Sequence, residues 1–207
     1  MIIKRELWGY IPLIPNIDKP FAELTEKEAM EHLEWFVSHI DERADYIKRI
    51  IAVGLNVRES SLDFSLESLK IVWKWFLSIV ETNKPKGINK ILFGAKKKPL
   101  DAAEPDFSVR THYIIRDIGM YVAKVFLYNY PNLEWTIKTK PKNYVSVNEP
   151  LLIGFVDDNP MYPKPFYPDL EPISLVHACA VNVLYGTQHE DDLYNQCLRM
   201  VRWIPKI

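Results

Sequence analysis

Glu28, His32, Trp35 and His39 recur at i, i+4, i+7 and i+11, which lines them up along one side of a helix. A carboxylate and two imidazoles are the ligand types of a transition-metal ion. Joined by an acid from elsewhere in the chain, they would make a metal-dependent hydrolase with a site assembled between two parts of the molecule. The two histidines stand two turns apart, about 10 Å along the axis, a long reach for one small ion. The favoured reading is therefore a polar helix face with one tryptophan laid against a neighbour. Because tryptophan is enriched in binding hot spots, that face is also a candidate protein contact.

His112, Arg116, Gly119 and Ala123 share a second helical side. Glycine and alanine let another backbone come close, and the Arg116 fork could hold a carboxylate or phosphate. A packing notch whose arginine pairs with an internal acid is preferred. His177 falls among apolar residues of a later helix and reads as a core histidine. Asp157 and Asp158, with Asp169 or Glu171, could meet a divalent cation, although "VDDNP" fits turn chemistry more simply. In the proline-rich stretch that holds Pro160, Pro163, Pro165, Pro168 and Pro172, the aromatics Tyr162, Phe166 and Tyr167 with Met161 could form an extended recognition segment. More often such a segment is a fixed crossover whose aromatics cap the core.

Lys84, Lys86, Lys90, Lys96, Lys97 and Lys98 make a local cationic stretch, but Phe93 alone supplies an aromatic for base stacking. The balance of 26 basic and 27 acidic residues, net charge −1, gives no general attraction to nucleic acid. No phosphate-binding loop, nucleophile elbow, His-Glu-x-x-His or paired-cysteine metal signature is present. Cys179 and Cys197 read as small buried hydrophobes. No catalytic residue is assigned, and neither a metal nor another cofactor is expected.

The elements that must position these residues are mostly helical. Thr25 and Glu28 form a capping box ahead of Met30, Leu33, Val37 and Ile40, which predicts a helix over residues 25–38. Asp41 can cap a second, ending at Gly54. A third follows Ser65, apolar around most of its circumference, and the connector 84–105 marks a boundary between lobes 1–95 and 105–207 if the single domain 1–207 divides at all. A fourth helix spans 108–128. Leu133, Trp135 and Ile137 then alternate with polar residues as a half-buried strand, and "NYVSV" and "PLLIGFV" predict two more. Short connections make these a three-stranded antiparallel meander. Pro172 opens a fifth helix that stops at Gly186, and a capping box of Thr187 and Glu190 opens a sixth. The fold class is α+β: a helical N-terminal half, then a small meander packed by helices in the C-terminal half.

With 48% hydrophobic residues over 207 positions the chain can bury a large core. Its longest apolar helix carries Arg116, Asp117 and Lys124, which a bilayer would not tolerate without cost. A soluble, cytoplasmic protein is expected. Two stretches, "LDFSLESLKIVWKWF" at 62–76 and "DIGMYVAKVFLYNYPNLEWTI" at 117–137, together resemble small bacterial domains that include immunity-type proteins encoded beside polymorphic toxins. That resemblance implies a cytoplasmic, non-enzymatic inhibitor acting through a protein partner. The expectation is a protein-interaction module, immunity-like, that uses the Trp35 face or the proline loop.

Overall fold

The computed structural model describes residues 9–83, 106–158, 161 and 164–205. The lysine-rich connector and Tyr162 lie outside the described residues. Helix α1, Glu26–Leu55, starts with the expected capping box: Thr25 Oγ1 accepts from the Glu28 amide at 3.3 Å, and Glu28 accepts from the Thr25 amide at 2.7 Å. The expected break near Asp41 is absent, so two predicted helices are one of 30 residues. Ser38 turns its hydroxyl back to the Trp35 carbonyl at 2.8 Å, and Asp41 accepts from Lys124 at 2.7 Å rather than from a helix amide. Neither glycine nor proline interrupts the run between them. Gly54 stays helical, and Asn56 takes the left-handed position that ends the helix, with φ 51°.

The buried side of α1 is rotated from the predicted stripe. Leu33 and Ile40 are buried as expected, but Met30 and Val37 are exposed while Ala29, His32 and Phe36 face inward. Helix α2, Ser68–Ile79, buries Leu69, Val72, Trp73, Trp75 and Phe76, and its Trp73 indole donates to the His189 carbonyl at 3.0 Å. Strands β1, Thr82–Asn83, and β2, Asp106–Phe107, pair as an antiparallel ribbon at the two ends of the connector.

Helix α3, Val109–Asn129, is capped by Ser108, whose hydroxyl accepts from the Thr111 amide at 3.2 Å. It packs between α1 and α4, Pro172–Tyr185. A Cβ placed on Gly119 would lie 2.9 Å from the Ile173 Cα, so α3 and α4 approach at a distance only glycine permits. Glu171 caps α4 through the amides of Ile173 and Ser174, and Gly186 closes it with φ 70°.

Strand β3, Glu134–Thr136, pairs antiparallel with β4, Leu151–Ile153, and Trp135 stands opposite Leu152. The third strand of the expected meander does not form. Residues 143–147 are spent on turns: the Tyr144 amide reaches the Pro141 carbonyl at 3.0 Å and Val147 that of Tyr144 at 3.1 Å. Asn148, at φ 64°, gives its side-chain amide to the Phe21 and Leu24 carbonyls at 2.8 and 3.0 Å, tying this loop to the approach to α1. The outer rung of the sheet comes from downstream, where Leu152 and Leu170 exchange amide and carbonyl at 2.8 and 2.9 Å. The final helix α5, Asp192–Val201, begins later than the Thr187–Glu190 box predicts, because the Thr187 amide closes α4 on Asn182 at 2.9 Å while Asp192 accepts from the His189 amide at 2.8 Å.

One hydrophobic cluster runs from Tyr10 through Trp73, Tyr121 and Phe155 to Cys197, drawing on both halves of the chain.

Candidate functional site

Helix α1 brings Glu28, His32, Trp35 and His39 into one row, as their spacing requires, and the row is largely occupied by the protein itself. Glu28 is engaged by Lys19 at 2.7 Å and by the Thr25 cap, which in that order hold its carboxyl down at about 2. His32 is only 3% exposed; its Nδ1 meets Asn16 Oδ1 at 2.6 Å, and its ring lies between Phe21, edge-on at 5.2 Å, and Trp35, stacked at 5.3 Å. Burial, then the charge of Arg116, pulls His32 down to about 4, so it is a neutral ring in an aromatic stack. Trp35 is half-buried against His39 at 4.8 Å, and His39 Nδ1 meets the Trp35 carbonyl at 2.7 Å. Among the described residues no group of three or more His, Cys, Asp or Glu is placed to hold a metal ion.

Arg116 donates to the Leu13 carbonyl at 3.2 Å and lies 5.5 Å from the centre of the Tyr113 ring, with no carboxylate in ion-pair range among the described residues. The acid one position on, Asp117, belongs to a different arginine. Arg43, 6% exposed on α1, donates through Nε and Nη2 to the Asp117 carboxylate, and Tyr10 donates to the same carboxylate at 2.7 Å. Burial alone would lower Arg43, but the hydrogen bond and charge of Asp117 hold it above its ordinary value. Burial beside that negative charge pushes Tyr10 up, so it remains a donor. Spacing could not find this pair, whose members are 74 residues apart. The available signal is an aspartate set into an apolar helix, which demands an internal partner.

His112 and His177 stack at 6.1 Å with Phe107 edge-on to both, and His112 Nε2 stands 3.4 Å from Asp106. Burial, then His112, lowers His177. Asp157 exchanges backbone hydrogen bonds with Phe166 at 2.8 and 2.9 Å, Asp169 holds Lys138 and Tyr144, and Glu171 caps α4. Asp169 and Glu171 therefore serve structural duties, and Asp157 is fixed through its backbone. Glu149, which spacing did not single out, has Oε2 buried with no hydrogen-bond partner; burial, then Glu171, raises its carboxyl to about 7. Burial also pushes the Cys179 thiol up to about 12.

Phe166 and Tyr167 differ from all of these. They are 60% and 66% exposed on a segment whose backbone is fixed at Asp157 on one side and Leu152 on the other. Met161, at the other end of the loop, is also exposed, and Val145 is exposed on the neighbouring turn, which Tyr144 joins to this segment through Asp169 at 2.7 Å.

Compared with known proteins, the chain matches no family model, no curated protein and no solved structure. No helix among the described residues is long and apolar enough to cross a membrane.

Proposed function

We propose that this protein is a non-enzymatic interaction module that binds a protein partner through the loop carrying Phe166 and Tyr167. The observation that carries the reading is the exposure of two adjacent aromatic side chains on a backbone pinned at both ends. Rigid aromatics lose little conformational freedom on binding, so they favour a defined contact over non-specific stickiness. The Trp35 face offers less, because its rings already pack on one another. The immunity-type likeness of the two sequence stretches gives the partner a class: a toxin that the module would neutralise by covering it.

Affinity capture from the native host tests this, with wild-type protein compared with a Phe166→Ser/Tyr167→Ser variant. The expected result is a partner recovered in stoichiometric amount by the wild type and lost by the variant, with the variant's thermal melt unchanged. Equal recovery by both proteins refutes the loop as the contact.

A further inference from the structure

The junction between α3 and β3 carries a cavity unrelated to the aromatic loop. Its volume is about 510 Å³, with a mainly apolar lining that includes Tyr130, Val201 and Ile204 and with Asn129, Asn132 and Arg202 as its polar members. Cavities of about 300–1,000 Å³ that combine apolar walls with a few polar groups are the usual form of a small-molecule site.

Hydrogen bonds within the protein hold both walls. On the α3 side, the Tyr130 amide closes the helix on Phe126 at 2.8 Å, and Asn129 donates to the Phe64 carbonyl at 2.8 Å. On the other side, the Val156 amide reaches the Trp203 carbonyl at 2.6 Å, and the Ile204 amide reaches that of Val201 at 3.1 Å, which straps the segment after α5 against the strand region. Arg202 is exposed and forms no ion pair with a described residue. The cavity therefore presents a mainly apolar interior, two asparagines and one positive charge with no ion-pair partner among the described residues.

We infer that this cavity is a binding site for a small amphiphilic monocarboxylate, its hydrocarbon or aryl body against Tyr130, Val201 and Ile204 and its carboxylate on the Arg202 guanidinium. An apolar body supplies the burial, and a planar carboxylate matches the arginine fork. A phosphate or sulfate without an apolar body would leave the lining unfilled, and a neutral hydrocarbon would leave Arg202 unanswered.

The test titrates the full chain by calorimetry and amide NMR with straight-chain and aryl-substituted monocarboxylates, from butyrate to dodecanoate and including 4-phenylbutyrate, each beside its primary amide. The expected result is saturable one-site binding of at least one acid, with shifts concentrated at Tyr130, Asn132 and residues 202–204. Its amide should bind about tenfold more weakly, as expected for loss of a charge-assisted hydrogen bond. Arg202→Gln should bring the acid down to the level of its amide and leave the amide unchanged. Ile204→Trp, which fills the cavity, should abolish both, and a melt within a few degrees of wild type shows that the fold survives. The inference is overturned if no acid saturates, if acid and amide bind equally, or if the shifts map elsewhere.

Discussion

The Asp117 carboxylate is held by Arg43 and Tyr10, and all three are buried. Removing one member of a buried pair strands the other, so Asp117→Ala should cost about 3–5 kcal/mol and Tyr10→Phe about 1–2 kcal/mol, read from denaturant unfolding. If Asp117→Ala costs under about 1 kcal/mol, the pair is not the tie between α1 and α3 that its geometry indicates. Glu149 predicts a pH dependence. Its folded-state value of about 7 lies above the ordinary 4.5, so its contribution is present below 4.5 and is lost as pH rises through about 7. His32 acts with the opposite sign, its contribution being present above 6.5 and lost as pH falls through about 4. Glu149→Gln removes only the first of these. Its melting temperature should therefore gain on the wild type as pH rises from about 4.5 to about 7, and a pH-independent difference would contradict the burial of that carboxyl.

At the scale of elements, α3 is the middle layer, and Gly119 sets how closely α4 lies on it. Gly119→Ala drives a methyl group into the Ile173 backbone, which cannot rotate away as a side chain could. The expected loss is about 2–3 kcal/mol by thermal or denaturant unfolding; a neutral result would mean the two helices can separate freely. The same elements show which parts of the fold can be read from sequence. The Thr25–Glu28 box, the Ser108 cap, and Pro172 and Gly186 at the ends of α4 are local devices, and each stands where its residue type indicates. The continuity of α1 is not local: Asp41 has the chemistry of a cap, but Lys124 on α3 takes its carboxylate. The missing strand at 143–147 has the same kind of cause. A β-rich run can pair or turn, and the tie from Asn148 to Phe21 and Leu24, more than 120 residues away, accompanies the turn. Periodicity placed Glu28, His32, Trp35 and His39 in one row correctly but could not show that Asn16 and Phe21 cover His32.

Among the described residues a large core and a smaller cluster around Phe36 and Met120 both draw on the two halves, and the residues with the most chemistry in them are held inside or against these. His32 is stacked, Arg43 and Asp117 are paired, and Glu171 is a cap. Phe166 and Tyr167 are left outward side by side on a fixed backbone, in the proline-rich loop offered as a candidate recognition segment, while Tyr128 on α3 and Tyr185 on α4 are exposed singly. The molecule thus divides into an interior that consumes its polar groups and an outward aromatic loop, the proposed contact. Radical footprinting of the protein alone and in its captured complex tests that division most directly. Protection on binding is expected to centre on Met161, Phe166, Tyr167 and the neighbouring Val145, with Trp35 and His39 unchanged. Protection centred on the Trp35 row, with Phe166 and Tyr167 equally reactive in both states, would contradict it.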